Sequence, residues 1–293
     1  FEASMKKVTQ VNALPDPKLS LGYFISPIET RVGPQRAKVS LTQMFPWFGT
    51  LKVKEEVATL YAESKYQSFL DTKNQLFYQV KQAYYPLYEV HEHIRLQQHN
   101  LEILESYKRL ATTSFANGKG TMSNVLRVDI MIDGVATEIQ LLEDKLNPLR
   151  VSFNRLLTRP DSSVVEIGDA MEMKALPKGY LKDSIMTYNP KIKEMELTIE
   201  ALKAQEKVAQ KNGLPQIGIG LDYAFVSERT DVNIPDNAKN VFMPMVTMSI
   251  PIFRKKYRSA VEETQLLQTA MEYKIEGMEN RLISQYEVAY YEI

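Results

Sequence analysis

The chain has 293 residues, 36 basic and 36 acidic side chains, and no cysteine. Zero formal net charge argues against a nucleic-acid binder, whose surface carries a basic excess; the missing cysteines exclude a disulfide framework and a thiolate metal site. No stretch approaches the ~18 consecutive apolar residues of a transmembrane helix, and the 12 glycines are few for a loop-rich fold.

Residues 1–13 (FEASMKKVTQVNA) read as the end of a helix already under way, without the apolar core of a signal peptide. The last residues, ISQYEVAYYEI, also stop inside a helical pattern, so the natural chain is expected to continue beyond both ends. Residues 14–49 and 213–252 then show an internal repeat, which governs the whole fold reading. LPDPKLSLGY (14–23) recurs without a gap as LPQIGIGLDY (214–223). VSLTQMFPWF (39–48) recurs as PMVTMSIPIF (244–253), at an offset of 205 instead of 200, so the second connecting loop is five residues longer. Each copy is two short strands around a polar loop. Ile217, Ile219, Leu221 and Tyr223 face one way and Gly218, Gly220 and Asp222 the other; Val246, Met248 and Ile250 alternate with Thr247 and Ser249. One apolar and one polar face suit a sandwich core, and equally a membrane barrel with lipid outside and water inside.

Helix follows each hairpin. From Thr50 to Asn117 there is no glycine and one proline, Pro86. A helix that long spans roughly 100 Å, more than a compact domain needs. NGKGT (117–121) breaks it. Val125, Val128, Ile132, Val135, Ile139, Leu142, Leu146, Leu149, Phe153 and Leu156 then follow in alternating steps of three and four, an unbroken coiled-coil seam. A poorer seam precedes the break at Leu87, Val90, Ile94, Leu101 and Leu104, with Gln97 in one gap. The reading for 50–159 is therefore a long antiparallel helical hairpin with its tip at 117–123. Residues 160–189 are a mixed connector with one short strand and a small helix. Pro190 opens a helix over 190–212, which Asn212-Gly213 ends. Residues 253–293 begin a second long helical hairpin.

Two hairpins leave unpaired edges, and in a membrane no water satisfies them. Closure with hairpins from other copies of the chain removes every edge, with the helical hairpins projecting together from one end.

At this point the chain resembles a known family. NPKIKEMELTIEALKAQEKVAQKNG followed by LPQIGIGLDY is similar to the helix-into-strand segment of TolC-family outer membrane efflux proteins. SIPIFRKKYRSAVEET resembles that family's strand-into-helix exit, and FANGKGTMSNVLRVDI its helix–turn–helix end. No single motif is specific; the ordered set, met twice, is. The resemblance implies a mainly α fold with a β-barrel part: long coiled-coil hairpins, plus four strands per chain in a trimeric twelve-stranded barrel. It makes 1–13 the end of a periplasmic helix and 160–189 the equatorial region, and places further helices of both copies outside this sequence. It implies a homotrimer in the outer membrane of a Gram-negative bacterium, with helices in the periplasm. It further implies a membrane-fusion adaptor docked at the tip (Gly118, Lys119, Gly120, Thr121, Ser123) and an inner membrane pump, RND type foremost. Three chains would also bring the i, i+4 pair Asp129 and Asp133 together near the narrow end of a tunnel. There, like charges raise each other's pKa and attract cations, and Arg127 is the basic partner that could tie such a gate shut. The bland alternative for this pair is a solvated helix flank.

Other clusters favour bland readings. His91 and His93 point about 200° apart on a helix and His99 lies two turns from His91, so solvated faces fit better than a zinc site. Met243 and Met245 share one strand face and Met248 takes the other; thioethers can hold Cu(I), but ordinary strand residues fit better. No Walker A loop, nucleophile–His pairing or acidic dyad occurs, so neither an enzyme nor a cofactor is expected. The functional expectation is a passive outer membrane exit duct of a tripartite pump, carrying drugs or metal cations. The alternative is a soluble periplasmic coiled-coil adaptor or scaffold. Lipid exposure requires an outward apolar band with aromatic ends, for which Tyr23, Tyr223, Phe45 and Trp47 are the candidates.

Overall fold

The computed structural model describes residues 1–168, 182–231 and 233–292. Two compact units divide the chain: Phe1–Asp71 with Tyr180–Ile293, and Thr72–Gly179. The elements run α1 (Glu2–Val11), β1 (Lys18–Ile28), β2 (Gln35–Phe45), α2 (Thr50–Ala116), α3 (Met122–Leu156), α4 (Lys182–Tyr188), α5 (Pro190–Asn212), β3 (Gln216–Val226), β4 (Val241–Ser249) and α6 (Arg254–Glu292). The class is the expected one, mainly helical with four strands. Of the connector expected over 160–189, residues 169–181 lie outside the described residues, α4 is the small helix, and no strand occurs over 160–168.

In the first unit the strands form one antiparallel sheet in the order β1-β2-β3-β4. The repeat is visible in it, β1 matching β3 and β2 matching β4. The hairpins do not wait for another copy on every side: they join each other along β2–β3, where Leu41 faces Leu221 and Val39 faces Tyr223. Among the described residues, the outer edges of β1 and β4 are the sheet edges left unpaired. Pro244 lies on β4, an edge strand, where a missing N–H is tolerated.

Beside the sheet, the first turns of α2 pack on α5. Val57, Ala204 and Val208 form a buried cluster with Val53 and Leu60 against it. Buried Ala58, Ala62 and Ala201 present little bulk, so the helices approach closely. Ser64 Oγ donates to the Glu194 carbonyl (3.1 Å) and lies 3.0 Å from Thr198 Oγ1. Pro190 opens α5 as expected, and the Asn189 side chain caps it by accepting from the N–H groups of Lys191 (2.9 Å) and Ile192 (3.2 Å). At the other end Gly213 has φ −80°, so it is not the left-handed cap that Asn-Gly suggests. Glycine is needed there for space: a Cβ would stand 3.2 Å from the Gln210 carbonyl and 3.3 Å from Tyr257 Cβ. Glu206 ties α5 to α6 by accepting from Gln268 (3.0 Å) and Gln265 (2.9 Å). These two amides, Gln268 first, hold its carboxyl below the ordinary value.

The second unit is a helical hairpin. Lys108 pairs with Asp129 at 2.5 Å, and the rings of Tyr84 and Phe153 lie 5.9 Å apart. Both pairs are centred on residues 118–119, which sets α3 antiparallel to the distal part of α2 in one register. The seam of α3 is buried at Val125 and Phe153 and half-buried at every seam position between, while Leu126, Ile130 and Met131 beside it are exposed. Across from it Leu87, Val90 and Ile94 are buried, and Gln97, Leu101 and Leu104 are half-buried. The polar gap is satisfied locally, Gln97 accepting from Asn100 at 3.0 Å. Pro86 and Pro148 interrupt α2 and α3 within about one turn of each other on this register, and each removes an i→i−4 bond. After α3 the fully buried Asn154 folds the chain back, its amide donating to the carbonyls of Asp161 (3.2 Å) and Ser163 (2.9 Å).

Candidate functional site

The sheet has two unlike faces. Leu19, Leu21, Tyr23 and Ile25 of β1, Ala37, Val39, Leu41 and Phe45 of β2, Ile217 to Phe225 at alternate positions of β3, and Phe242, Pro244, Val246 and Met248 of β4 share one face. This apolar face is the open one: Leu21 is 75% exposed, Ile25 93% and Val246 77%. Its one polar side chain, Gln43, spends its amide on the carbonyls of Pro15 (2.7 Å) and Met44 (3.0 Å). Phe45 and Trp47, expected as aromatic ends of this band, are half-buried, Trp47 lying edge-on to Phe48. The exposed aromatics at the helix end are Phe48 and Phe253 instead, the pair that closes the two repeats.

The opposite face carries small and polar groups; neighbouring side chains cover it along β3, while Lys18, Ser20 and Gly22 of β1 and Met243 of β4 stay exposed on it. Gly218, Gly220, Asp222, Ala224 and Val226 are buried at alternate positions of β3. A Cβ at Gly218 would collide with Thr247 and Met44, and one at Gly220 would stand 2.8 Å from Met245 Cγ. Two glycines in a strand thus give slots into which Met44 from β2 and Met245 from β4 lean. Asp222, 3% exposed, is ion-paired with Lys38, whose side chain is half-exposed.

The two loops at the far end of the strands are tied together. Ser227 N–H donates to the Pro34 carbonyl (2.8 Å) and Ala238 N–H to the Val32 carbonyl (2.9 Å). Asn237 closes the longer loop on itself, accepting from Arg229 N–H and donating to the Arg229 carbonyl, both at 2.9 Å. Gly33 sits at φ +128° against the Ser227 carbonyl, where no side chain would fit.

At the other predicted site, α2 ends in a Schellman arrangement. Gly118, at φ +73°, donates to the Phe115 carbonyl (3.0 Å), and Lys119 donates to the Ser114 carbonyl (2.9 Å). Gly120 matters for a different reason: its Cβ would lie 3.3 Å from Phe115 N and Ser114 Cβ. Thr121 takes the N-cap position of α3, but its hydroxyl makes no capping bond; the helix starts through Asn124 N–H to the Thr121 carbonyl (3.0 Å). Gly118, Lys119, Thr121 and Ser123 are exposed.

Within this hairpin Asp129 is half-buried and bound to Lys108, while Asp133 and Arg127 are exposed. Lys108 was not a candidate from sequence, because only the hairpin register brings it opposite Asp129. The Asp129 hydrogen bond and charge hold its amine above the usual lysine value, with Asp133 adding a smaller push. His91, His93 and His99 are all exposed, and His91 and His99 lie 3.7 Å and 3.6 Å from Glu92 and Glu102 of their own helix. Among the described residues no three His, Asp or Glu side chains converge as metal ligands. Met243 and Met245 lie on the small-residue face and Met248 on the apolar one.

No protein-family model matches the chain, and no curated protein matches it in sequence. Solved structures do match its fold. The outer-membrane channel OprN superposes with a TM-score of 0.68 at 17% identity, over 94% of this chain and 65% of that one. A membrane protein from Pseudomonas aeruginosa gives 0.69 at 14% identity, over 97% and 68%. The outer membrane protein VceC from Vibrio cholerae gives 0.67 at 12% identity, over 97% and 71%. The chain therefore spans about two thirds of the length of these proteins. OprN and VceC are TolC-family outer membrane channels, and the likeness at this identity is one of fold: four strands per chain and long helical hairpins.

The tip geometry yields a direct test. A side chain at Gly118 is held in the left-handed region at a cost of about 1–2 kcal/mol. Gly118→Ala should therefore speed exchange of the Lys119 amide, which closes the Schellman turn, by roughly five- to thirtyfold. Lys119→Ala should leave its neighbours' exchange unchanged. Equal protection of residue 119 in Gly118→Ala and wild type, measured by NMR, would show the turn is not held this way.

Proposed function

We propose that the protein is a passive exit duct in the outer membrane of a Gram-negative bacterium. The observation that carries this is the contrast of the sheet faces: the apolar face is open across all four strands, while the small, polar face is covered along β3. A soluble sandwich or scaffold would bury the apolar face, because exposed apolar patches beyond a few hundred Å² are rare in soluble proteins. Lipid removes that cost, and strands of 11, 11, 11 and 9 residues match the ~9–11 that a tilted strand needs to cross a bilayer.

Four strands cannot close a barrel, which takes about eight or more. Three copies supply twelve, and β1 of one copy then pairs with β4 of the next. The exposed Leu110, Leu126, Ile130 and Met131 support side-by-side packing of the hairpins into a tunnel. We assign the tip, residues 118–121 with Ser123, as the docking point of a periplasmic adaptor that links the duct to an inner membrane pump, RND type foremost. Arg127, Asp129 and Asp133 form the gate: with Lys108 holding Asp129, Asp133 is the free acid that neighbouring copies bring together, and Arg127 the base that closes on it. Drugs or metal cations pass through a polar, water-filled interior. Energy comes from the pump.

The barrel is tested by two arginines. Leu221→Arg points toward lipid and should cost up to ~2–4 kcal/mol near the midplane, with loss of folded protein from the outer membrane. Ser20→Arg, on the opposite face of β1, should assemble normally. Equal loss in both would sink the assignment of faces.

For the gate, the Asp129→Ala/Asp133→Ala double variant should lose cation preference and block by multivalent cations in planar-bilayer recordings, and Arg127→Ala should conduct more. Unaltered selectivity and block would return these residues to a solvated flank.

For the tip, Lys119→Cys should crosslink to a cysteine at the adaptor's helical end, with no native cysteine to interfere. Gly120→Leu should stop export while trimer yield holds. Full export by a folded Gly120→Leu trimer, with no crosslink, would place docking elsewhere.

A further inference from the structure

Where the strands pass into helices, both repeats write the same two things in order. First comes an open apolar end: Phe48, 79% exposed, after β2, and Ile250, Ile252 and Phe253, the last 82% exposed, after β4. Then comes positive charge. Lys52 follows in α2, with the half-buried Lys54, and Arg254, Lys255, Lys256 and Arg258 open α6, all four exposed. Neither helix has an acid in its first turn; the first ones are Glu55 and Glu262. Cations at a helix N-terminus are opposed by the macrodipole, so helix stability does not account for them. Internal contacts account for few. Arg254 donates to the Gly213 carbonyl (3.3 Å), and Lys256 lies 5.9 Å over the Tyr257 ring. The opposite end of the sheet is balanced: Arg31, Arg36, Arg229 and Lys239 stand among Glu29, Glu228, Asp231 and Asp236, with Arg229 paired to Asp231 and Lys239 to Asp236. The excess of positive charge is confined to the helix end.

We infer that these residues form a cationic collar that holds anionic phospholipid headgroups of the leaflet on the helix side of the sheet. The inference rests on the membrane-barrel reading and adds a ligand class to it. The charges are spread over two helix starts and adjoin the apolar face directly, so they fit a bilayer surface and not one soluble anion. A basic side chain near an anionic surface is worth a factor of about five.

Trp47, the single tryptophan, stands between β2 and Lys52 and reports on this layer. The purified protein is reconstituted in phosphatidylcholine with increasing brominated phosphatidylglycerol, or with brominated phosphatidylcholine as the reference, and Trp47 quenching gives the relative affinity of the two lipids. Wild type should prefer phosphatidylglycerol by about fivefold or more at low salt, and salt should shrink that preference. Lys52→Gln/Lys255→Gln/Arg258→Gln, which touches none of the contacts above, should bring the ratio close to one. A ratio near one in wild type, or an unchanged ratio in the triple variant, overturns the collar while leaving the barrel intact. Lost oligomer with an unchanged lipid ratio also overturns it, and makes the patch a contact between copies. No quenching by either brominated lipid means no bilayer contact, and overturns the barrel reading together with the collar.

Discussion

The backbone groups along the outer edges of β1 and β4 constrain everything else in this chain. An antiparallel sheet of four strands satisfies its inner ladders, and here the two hairpins do so by joining along β2 and β3. The outer edges still carry unpaired N–H and C=O groups, and the sheet shows its apolar face to the surroundings. In water the face is the liability; in lipid the edges are, because nothing there replaces a missing hydrogen bond. One arrangement removes both liabilities: a closed ring of copies with the apolar face outward. On that reading oligomerisation is a condition for the fold to exist in a membrane, not an embellishment of it.

The same constraint explains the contrast between the two sheet faces. A face turned to lipid would tolerate any apolar side chain of suitable bulk, and Leu, Ile, Val, Phe and Met all occur on the open face here. The other face is specified in detail. Gly218 and Gly220 exist because Met44, Thr247 and Met245 occupy the space their side chains would fill. Asp222 is shielded, and Lys38 lies against it. The repeat has diverged on this side: Gly218 and Gly220 stand where the first copy has Lys18 and Ser20, so only the second copy's strand makes room for methionines.

The helical hairpin answers a different physical demand. Two long helices bury a narrow seam against each other and leave apolar residues such as Ile130 and Met131 open beside it. Such a hairpin is half-finished as a packing unit, suited to a row of neighbours. Much of its polar content is paired: Gln97 with Asn100, the Asn154 amide N–H groups with the turn after α3, Asp129 with Lys108. The tip is small because its glycines must be small, one for a left-handed backbone and one for close approach to the preceding turn.

Period and punctuation were legible without coordinates. The unbroken three-four spacing from Val125 to Leu156 can only be one helix with one seam, the NGKGT break can only reverse it, and the alternation of Ile217 to Tyr223 can only split a strand into two faces. Those signals are local, because each follows from the dihedral repeat of a single element. What they could not say is which face of the sheet stays open. Period two is the same for a buried and an open side, and only the assembled sheet, with Gly218 and Gly220 covered and its leucines bare, decides between them. Nor could spacing pair Lys108 with Asp129, or set Met44 over Gly218, since those contacts join residues far apart in sequence and depend on the register of one element against another. Residue identity determined the elements; the tertiary structure alone decided their partners, because hydrogen-bond register and side-chain volume act only once the elements meet.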